Sequence, residues 1–183
     1  MTAKQQWQVV AAIFVLLAGG AFAATHFLKD ELTSVTIGSD APTFEAVTLD
    51  GTHTKKTLAN YKNEVVVLNI WATWCGPCRE EMPSIQRLHS ALGPKGLKIV
   101  AVSIDPEGKE QTILDFKKEF GITFEVLHDS TGVIQSVYRT TGVPETFVIG
   151  RDGVIRKKWI GGEDWNSPQN RRLLEGLLAE PRS

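Results

Sequence analysis

The chain is poor in the residues that staple small exported proteins or bind metal. It has two cysteines in 183 residues, too few for the several bridges that disulfide-dependent secreted domains carry. Four histidines are scattered along it, and His26 sits in an apolar N-terminal stretch. A structural zinc site wants about four ligands, so no metal site is expected. Charge of one sign is also lacking. The formal net charge is −1, so no long-range field draws the chain to nucleic acid or an anionic membrane. The basic clusters Lys117–Lys118, Arg156–Lys158 and Arg171–Arg172 are short and read as solvated faces. Internal repeats and low-complexity tracts are missing. A hydrophobic fraction of 42% and a charged fraction of 22% are ordinary for one globular domain with an appendage.

Charge is missing altogether from Val9 to Leu28, and every residue from Val9 to Ala24 is apolar or Gly. Lys4 precedes this run and Lys29, Asp30 and Glu31 close it. The pattern is that of an export signal or a membrane anchor. A spanning helix needs about 20 residues, which Val9–Leu28 just reaches, so an anchor is expected. The competing reading is cleavage at the small-x-small site Ala21–Ala23. Neither involves a lipid-modified cysteine, because no cysteine lies near. Residues 1–29 are thus expected to be a signal anchor or signal peptide, 30–37 a linker and 38–183 the folded domain. Both readings place that domain outside the cytoplasm: on the periplasmic side of the cytoplasmic membrane if anchored, soluble in the periplasm if cleaved.

Within the domain, "VVVLNIW" (Val65–Trp71) is a continuous β-branched apolar run, which predicts a strand buried on both faces. Met82, Ile85, Leu88 and Leu92 are spaced for one face of a helix that stops near Gly93–Gly96. A second strand is expected at Leu97–Ile104, a helix at Lys109–Phe120, a short strand at Phe124–Asp129 and a short helix at Thr131–Arg139. Glu145–Ile149, the turn Gly150–Gly153 and Val154–Ile160 read as a hairpin. A closing helix starts at Pro168, a residue suited to a first helical turn, with Leu173, Leu174, Leu177 and Leu178 turned to the sheet. The alternation predicts an α/β fold, a mixed sheet with helices on both faces.

The two cysteines stand together in "NIWATWCGPCREEMP" (Asn69–Pro83). Cys75 follows a strand and opens a helix whose first turn holds Gly76 and Pro77. Unpaired N–H groups at a helix N-terminus favour an anion, so the Cys75 thiolate is stabilised, and the thiolate is the nucleophile. Cys78, three positions on, is within disulfide reach, and the pair can cycle between dithiol and disulfide. Cys75 is expected to be exposed and to attack; Cys78 is expected to be shielded and to resolve the mixed disulfide. A purely structural bridge would close a very short loop, where stabilisation is smallest. Inert thiols would need no Gly-Pro between them.

These residues resemble a family. "WATWCGPC" is similar to the active-site motif of thioredoxin-fold proteins, and "GVPETF" (Gly142–Phe147) to the loop of that fold that ends in a cis-proline facing the cysteines. The longer pattern "APTFEAVTLDG…TLANYKNEVVVLNIWATWCGPCREEMP" resembles the membrane-anchored, extracytoplasmic TlpA-like thiol–disulfide oxidoreductases, which include the cytochrome c maturation reductases; its N-terminal half is shared with AhpC/TSA peroxiredoxins. The resemblance spans roughly 37–180. It implies a thioredoxin fold with one inserted strand–helix unit between Cys78 and Pro144. It implies a reductase of protein disulfides that uses no cofactor beyond its own Cys75–Cys78 disulfide. Apocytochrome c is the candidate substrate, and a membrane thiol reductase the electron donor.

The same resemblance implies that Pro144 is cis, that Val143 presents its backbone to the substrate chain, and that Trp74, Gly76 and Pro77 border the substrate. Trp71 reads equally well as core. Pro83 removes a helical hydrogen bond to the Arg79 carbonyl and is structural. Asn69 stands where ordinary thioredoxins carry a buried, proton-exchanging Asp, and Asn cannot titrate. Glu81, on the side of the helix that carries Cys78, and Glu145, beside Pro144, match acids of the family; each otherwise reads as a solvated carboxylate. Glu81 is expected to take the Cys78 proton, with Glu145 the weaker candidate. Other functions on the same pattern are a peroxiredoxin-like peroxidase, a copper-binding chaperone and an interaction module indifferent to loss of both cysteines. The peroxidase wants Pro and Thr or Ser where Leu68 and Ala72 stand. The copper site wants a His, and only His53, His89 and His128 lie in the exported domain.

Overall fold

The computed structural model describes residues 35–181 without a break, together with 5, 7, 13 and 15–20. The chain divides into two compact units, 1–34 and Val35–Ser183. The anchor-or-signal segment Val9–Leu28 lies largely outside the described residues; its positions 15–20 are helical. Among the described residues no helix is long and apolar enough to cross a membrane.

The second unit is built on one sheet of seven strands, β1 (Glu45–Thr48), β2 (Lys55–Thr57), β3 (Val65–Trp71), β4 (Leu97–Ser103), β5 (Glu125–His128), β6 (Glu145–Ile149) and β7 (Ile155–Ile160), in the order β2-β1-β5-β4-β3-β6-β7. β3, β4 and β5 are parallel neighbours; the pairs β1–β2, β1–β5, β3–β6 and β6–β7 are antiparallel. The helices are α1 (Gly76–Leu92), α2 (Glu110–Glu119), α3 (Val133–Val137) and α4 (Pro168–Ala179). This is the expected thioredoxin fold. Two strand–helix units, β4–α2 and β5–α3, lie between Cys78 and Pro144, one more than in ordinary thioredoxins.

β3 explains the two-layered core. All seven of its residues are buried, and successive side chains point to opposite faces. Val65, Val67 and Trp71 join Met82, Ile85, Leu88 and Leu92 of α1, Ile113 and Phe116 of α2, and Leu174 and Leu177 of α4. Val66, Leu68 and Ile70 join Phe44, Ala46, Ile134 of α3, Tyr138 and Phe147 on the other face. Asn69 falls in the first row, between Val67 and Trp71, and is fully buried. A lone amide in that row must find partners under α1, and those partners define the site. Val35 is already buried in the second face, and Gly38 N–H donates to Ile155 O at 2.8 Å, so the entering chain lies along β7.

Candidate active site

Cys75 is the N-cap of α1 and Pro77 stands in its first turn. The Cys75 sulfur accepts the Cys78 N–H at 3.2 Å, and the two sulfurs are bonded at 2.07 Å. When the bond is reduced, the same Cys78 N–H and the helix dipole favour a thiolate on Cys75. Cys78 is 0% exposed as expected, but Cys75 is only 4% exposed. The expectation of an exposed nucleophile is corrected by the facing loop. The Val143–Pro144 peptide bond is cis, and Val143 O lies 3.4 Å from Cys75 Sγ. Trp74, 66% exposed, with exposed Gly76 and Pro77, forms the rim. Trp71 is core: it is buried and its ring centroid lies 4.6 Å from that of Phe116.

The loop from β3 to Cys75 is held by Asp105, a residue without a signal in the sequence. Its buried carboxylate accepts the Thr73 N–H at 2.9 Å and hydroxyl at 2.7 Å, and the Ser103 hydroxyl at 2.6 Å.

Both acids singled out from the sequence are buried, Glu81 at 2% and Glu145 at 0% exposure, so neither is a solvated carboxylate. Glu81 is reached by the Asn69 amide, which donates to Oε1 at 2.8 Å, and by the Trp165 indole N–H, which donates to Oε2 at 3.3 Å. The other Asn69 amide hydrogen goes to Thr146 Oγ1 at 2.8 Å. Burial pushes the Glu81 carboxyl up to about 7, against the opposing pull of these donors. Glu145 lies elsewhere chemically. Lys158 Nζ is 2.9 Å from Oε1, and the Thr141 N–H donates to Oε2 at 3.2 Å. The carboxylate thus closes the cis-proline loop on itself and ties it to β7. This also corrects the reading of Arg156–Lys158 as a solvated face: Lys158 is bound to a buried acid, and Lys157 lies over the Trp159 and Trp165 rings.

Asn69 cannot titrate, and one amide inside an apolar run is the visible signal in the sequence that it has a partner. Thr146, Ser84, Lys158 and Trp165 carry no such signal.

Comparison with known proteins agrees with this geometry. Residues 37–158 match the AhpC/TSA family. The chain belongs to that family. It is 35% identical over 147 residues to the thiol-disulfide oxidoreductase ResA of Oceanobacillus iheyensis, covering 79% of this chain and 76% of that one. It is 33% identical over 170 residues to the ResA of Bacillus cereus, covering 91% of each. Among solved structures, the thiol:disulfide interchange protein DsbE of Chlorobium tepidum superposes with a TM-score of 0.69 at 27% identity, covering 79% of this chain and 99% of that one. StoA of Bacillus subtilis gives a TM-score of 0.58 at 27% identity, covering 74% and 96%. The protein is a thiol–disulfide oxidoreductase of thioredoxin fold. Leu68 and Ala72, where a peroxidase is expected to carry Pro and Thr or Ser, are both buried.

Proposed function

We propose that the enzyme works as a reductant outside the cytoplasm, held at the membrane by Val9–Leu28, with the bonded haem-binding cysteines of apocytochrome c as its substrate. The reading rests on one arrangement: the Cys75–Cys78 pair at the start of α1, faced by Val143–cis-Pro144, with the buried Glu81 carboxyl one turn along the same side of α1. In the reduced enzyme the Cys75 thiolate attacks one sulfur of the substrate disulfide. The other substrate sulfur departs as a thiolate and takes a proton from solvent, and a mixed disulfide joins Cys75 to the attacked sulfur. Cys78 passes its proton to Glu81 and attacks Cys75 Sγ. The second substrate thiolate leaves and is protonated, and the Cys75–Cys78 disulfide forms. Two electrons have passed to the substrate, and a membrane thiol reductase restores the dithiol. Trp74, Gly76, Pro77 and the Val143 backbone border the substrate chain; Glu145 positions the loop.

Cys75→Ser is expected to abolish reduction of a model disulfide. Cys78→Ser, expressed in the native compartment, is expected to hold substrate on Cys75, and mass spectrometry of the adducts should return cytochrome c precursors. A broad mixture would replace haem maturation by general reduction, and activity retained by Cys75→Ser would overturn the mechanism. A mature N-terminus at Ala24 would replace the anchor by a cleaved signal.

A further inference from the structure

Trp165 is far from the cysteines in sequence and sits in the loop between β7 and α4, residues 161–167, yet it is fully buried against α1. Its backbone N–H donates to Ser84 Oγ at 3.0 Å, and the Ser84 hydroxyl donates to Glu81 O at 2.8 Å. The loop passes so close to the first turn of α1 that a Cβ at Gly162 would lie 3.3 Å from Pro77 O. Its other side is fastened by Asn170, whose amide donates to Glu163 Oε1 at 3.1 Å and Asp164 O at 3.0 Å. Asn170 in turn accepts from Lys157 Nζ at 2.6 Å, and that ammonium lies 5.0 Å from the Trp165 ring centroid. A loop fixed at both ends thereby delivers one indole N–H to one carboxylate oxygen, opposite the Asn69 amide on the other.

We infer that Trp165 is a positioning residue of the redox site: with Asn69 it fixes the Glu81 carboxylate one turn from Cys78 and sets the pH range in which that carboxylate accepts a proton. The inference rests on Glu81 being the proton acceptor proposed above. Donors to the charged form favour it, so they oppose burial and keep the carboxyl within reach of neutral pH. The other groups facing Glu81 work around this pair. From the loop, the Glu163 backbone N–H favours the carboxylate and the Glu163 charge disfavours it. Glu80, Arg87 and Asp164 line the same cleft; Cys78 lies one turn earlier on α1, Asn69 and Thr146 from the sheet are neutral, and Lys157 stands over the indole.

The test uses the full chain. In the oxidised protein, one of the five tryptophan indole N–H resonances should move with pH, with a midpoint near 7, and stop moving in Glu81→Gln. Trp165→Phe keeps an aromatic ring and removes the donor. Loss of a donor to the carboxylate raises the carboxyl's pKa, so the rate–pH profile of disulfide exchange should shift to alkaline pH by about half to one unit. A role in packing alone would lower the rate or the stability without moving that midpoint. An unmoved midpoint in Trp165→Phe, with the profile altered in Glu81→Gln, overturns the inference and leaves Glu81 standing. Profiles unmoved in both variants overturn Glu81 as acceptor, and this inference with it. If Trp165→Phe does not fold, the indole resonances decide: none that titrates in the wild type overturns the inference.

Discussion

Glu81 and Glu145 are the same residue type, both buried and both flanking one disulfide, and their surroundings send them to different work. Glu145 meets a cation, Lys158 at 2.9 Å, and a backbone N–H from its own loop. It is one arm of a clamp that ties the cis-proline loop to β7. Glu81 meets neutral donors, Asn69 and Trp165, and no cation figures among the influences on its titration. Hydrogen bonds without a counter-charge do not fully offset burial, so its proton is exchangeable near neutral pH. Identity and burial therefore do not assign a buried acid; the charge of its partner does.

Glu81→Gln bears on this contrast most heavily. It is expected to slow disulfide exchange by about 10- to 100-fold, from the low end of general acid–base contributions down. It also removes a pH dependence of stability. The carboxyl's folded value, about 7, is raised above the ordinary 4.5, so its contribution is fully present below pH 4.5 and lost as pH rises through 7, by up to about 3 kcal/mol at 1.4 kcal/mol per unit. Urea unfolding at pH 5 and pH 8 should show wild type losing more stability than Glu81→Gln over that range; equal losses would contradict the burial of an exchangeable proton. Lys158→Met leaves Glu145 without its cation. We expect a loss of about 2 kcal/mol at pH 7, below the usual range for breaking a buried pair because the Lys158 side chain is 23% exposed. Denaturant midpoints measure it, and a loss under about 0.5 kcal/mol, the scale of an exposed pair, would make the clamp a surface contact. Glu145→Gln should change the exchange rate by no more than about three-fold and leave the pH midpoint in place, since general acid–base catalysis would cost about 100-fold or more; a stopped-flow profile matching that of Glu81→Gln would exchange the two roles. Ser84→Ala, which removes the hydroxyl linking α1 to Trp165 N–H, should cost about 1 kcal/mol in thermal unfolding.

What the sequence made visible follows from how locally each feature is encoded. β3 matches its apolar run from Val65 to Trp71, and α1 begins beside the cysteines and ends before Gly93 as its apolar spacing implies. The β6–β7 hairpin and α4 from Pro168 are likewise present. Other bounds contracted, as for α3, expected over Thr131–Arg139 and found at Val133–Val137. The β1–β2 hairpin had no such signature. β2 is three residues, Lys55–Thr57, none of them buried, and β1 buries Ala46 alone; both strands exist because pairing, to each other and to β5, supplies what their side chains do not. In the site, Cys75, Cys78 and Glu81 sit within two turns of one helix, so spacing alone brings them together. Glu81 and Trp165 are separated by 84 positions and Glu145 and Lys158 meet only across a strand pair. Contacts of that kind depend on topology, which no local pattern carries.

The most direct test of Glu81 as the proton acceptor isolates the resolving step. A thionitrobenzoate adduct on Cys75 of the reduced enzyme decays when Cys78 attacks it, and the coloured thiolate released reports the rate. Followed from pH 5 to pH 9, roughly the span over which a carboxyl near 7 titrates, the wild-type rate should rise through an inflection near 7. Glu81→Gln should be slower and should lack that inflection. An inflection that survives in Glu81→Gln at an unchanged rate would contradict the assignment and leave the proton to water.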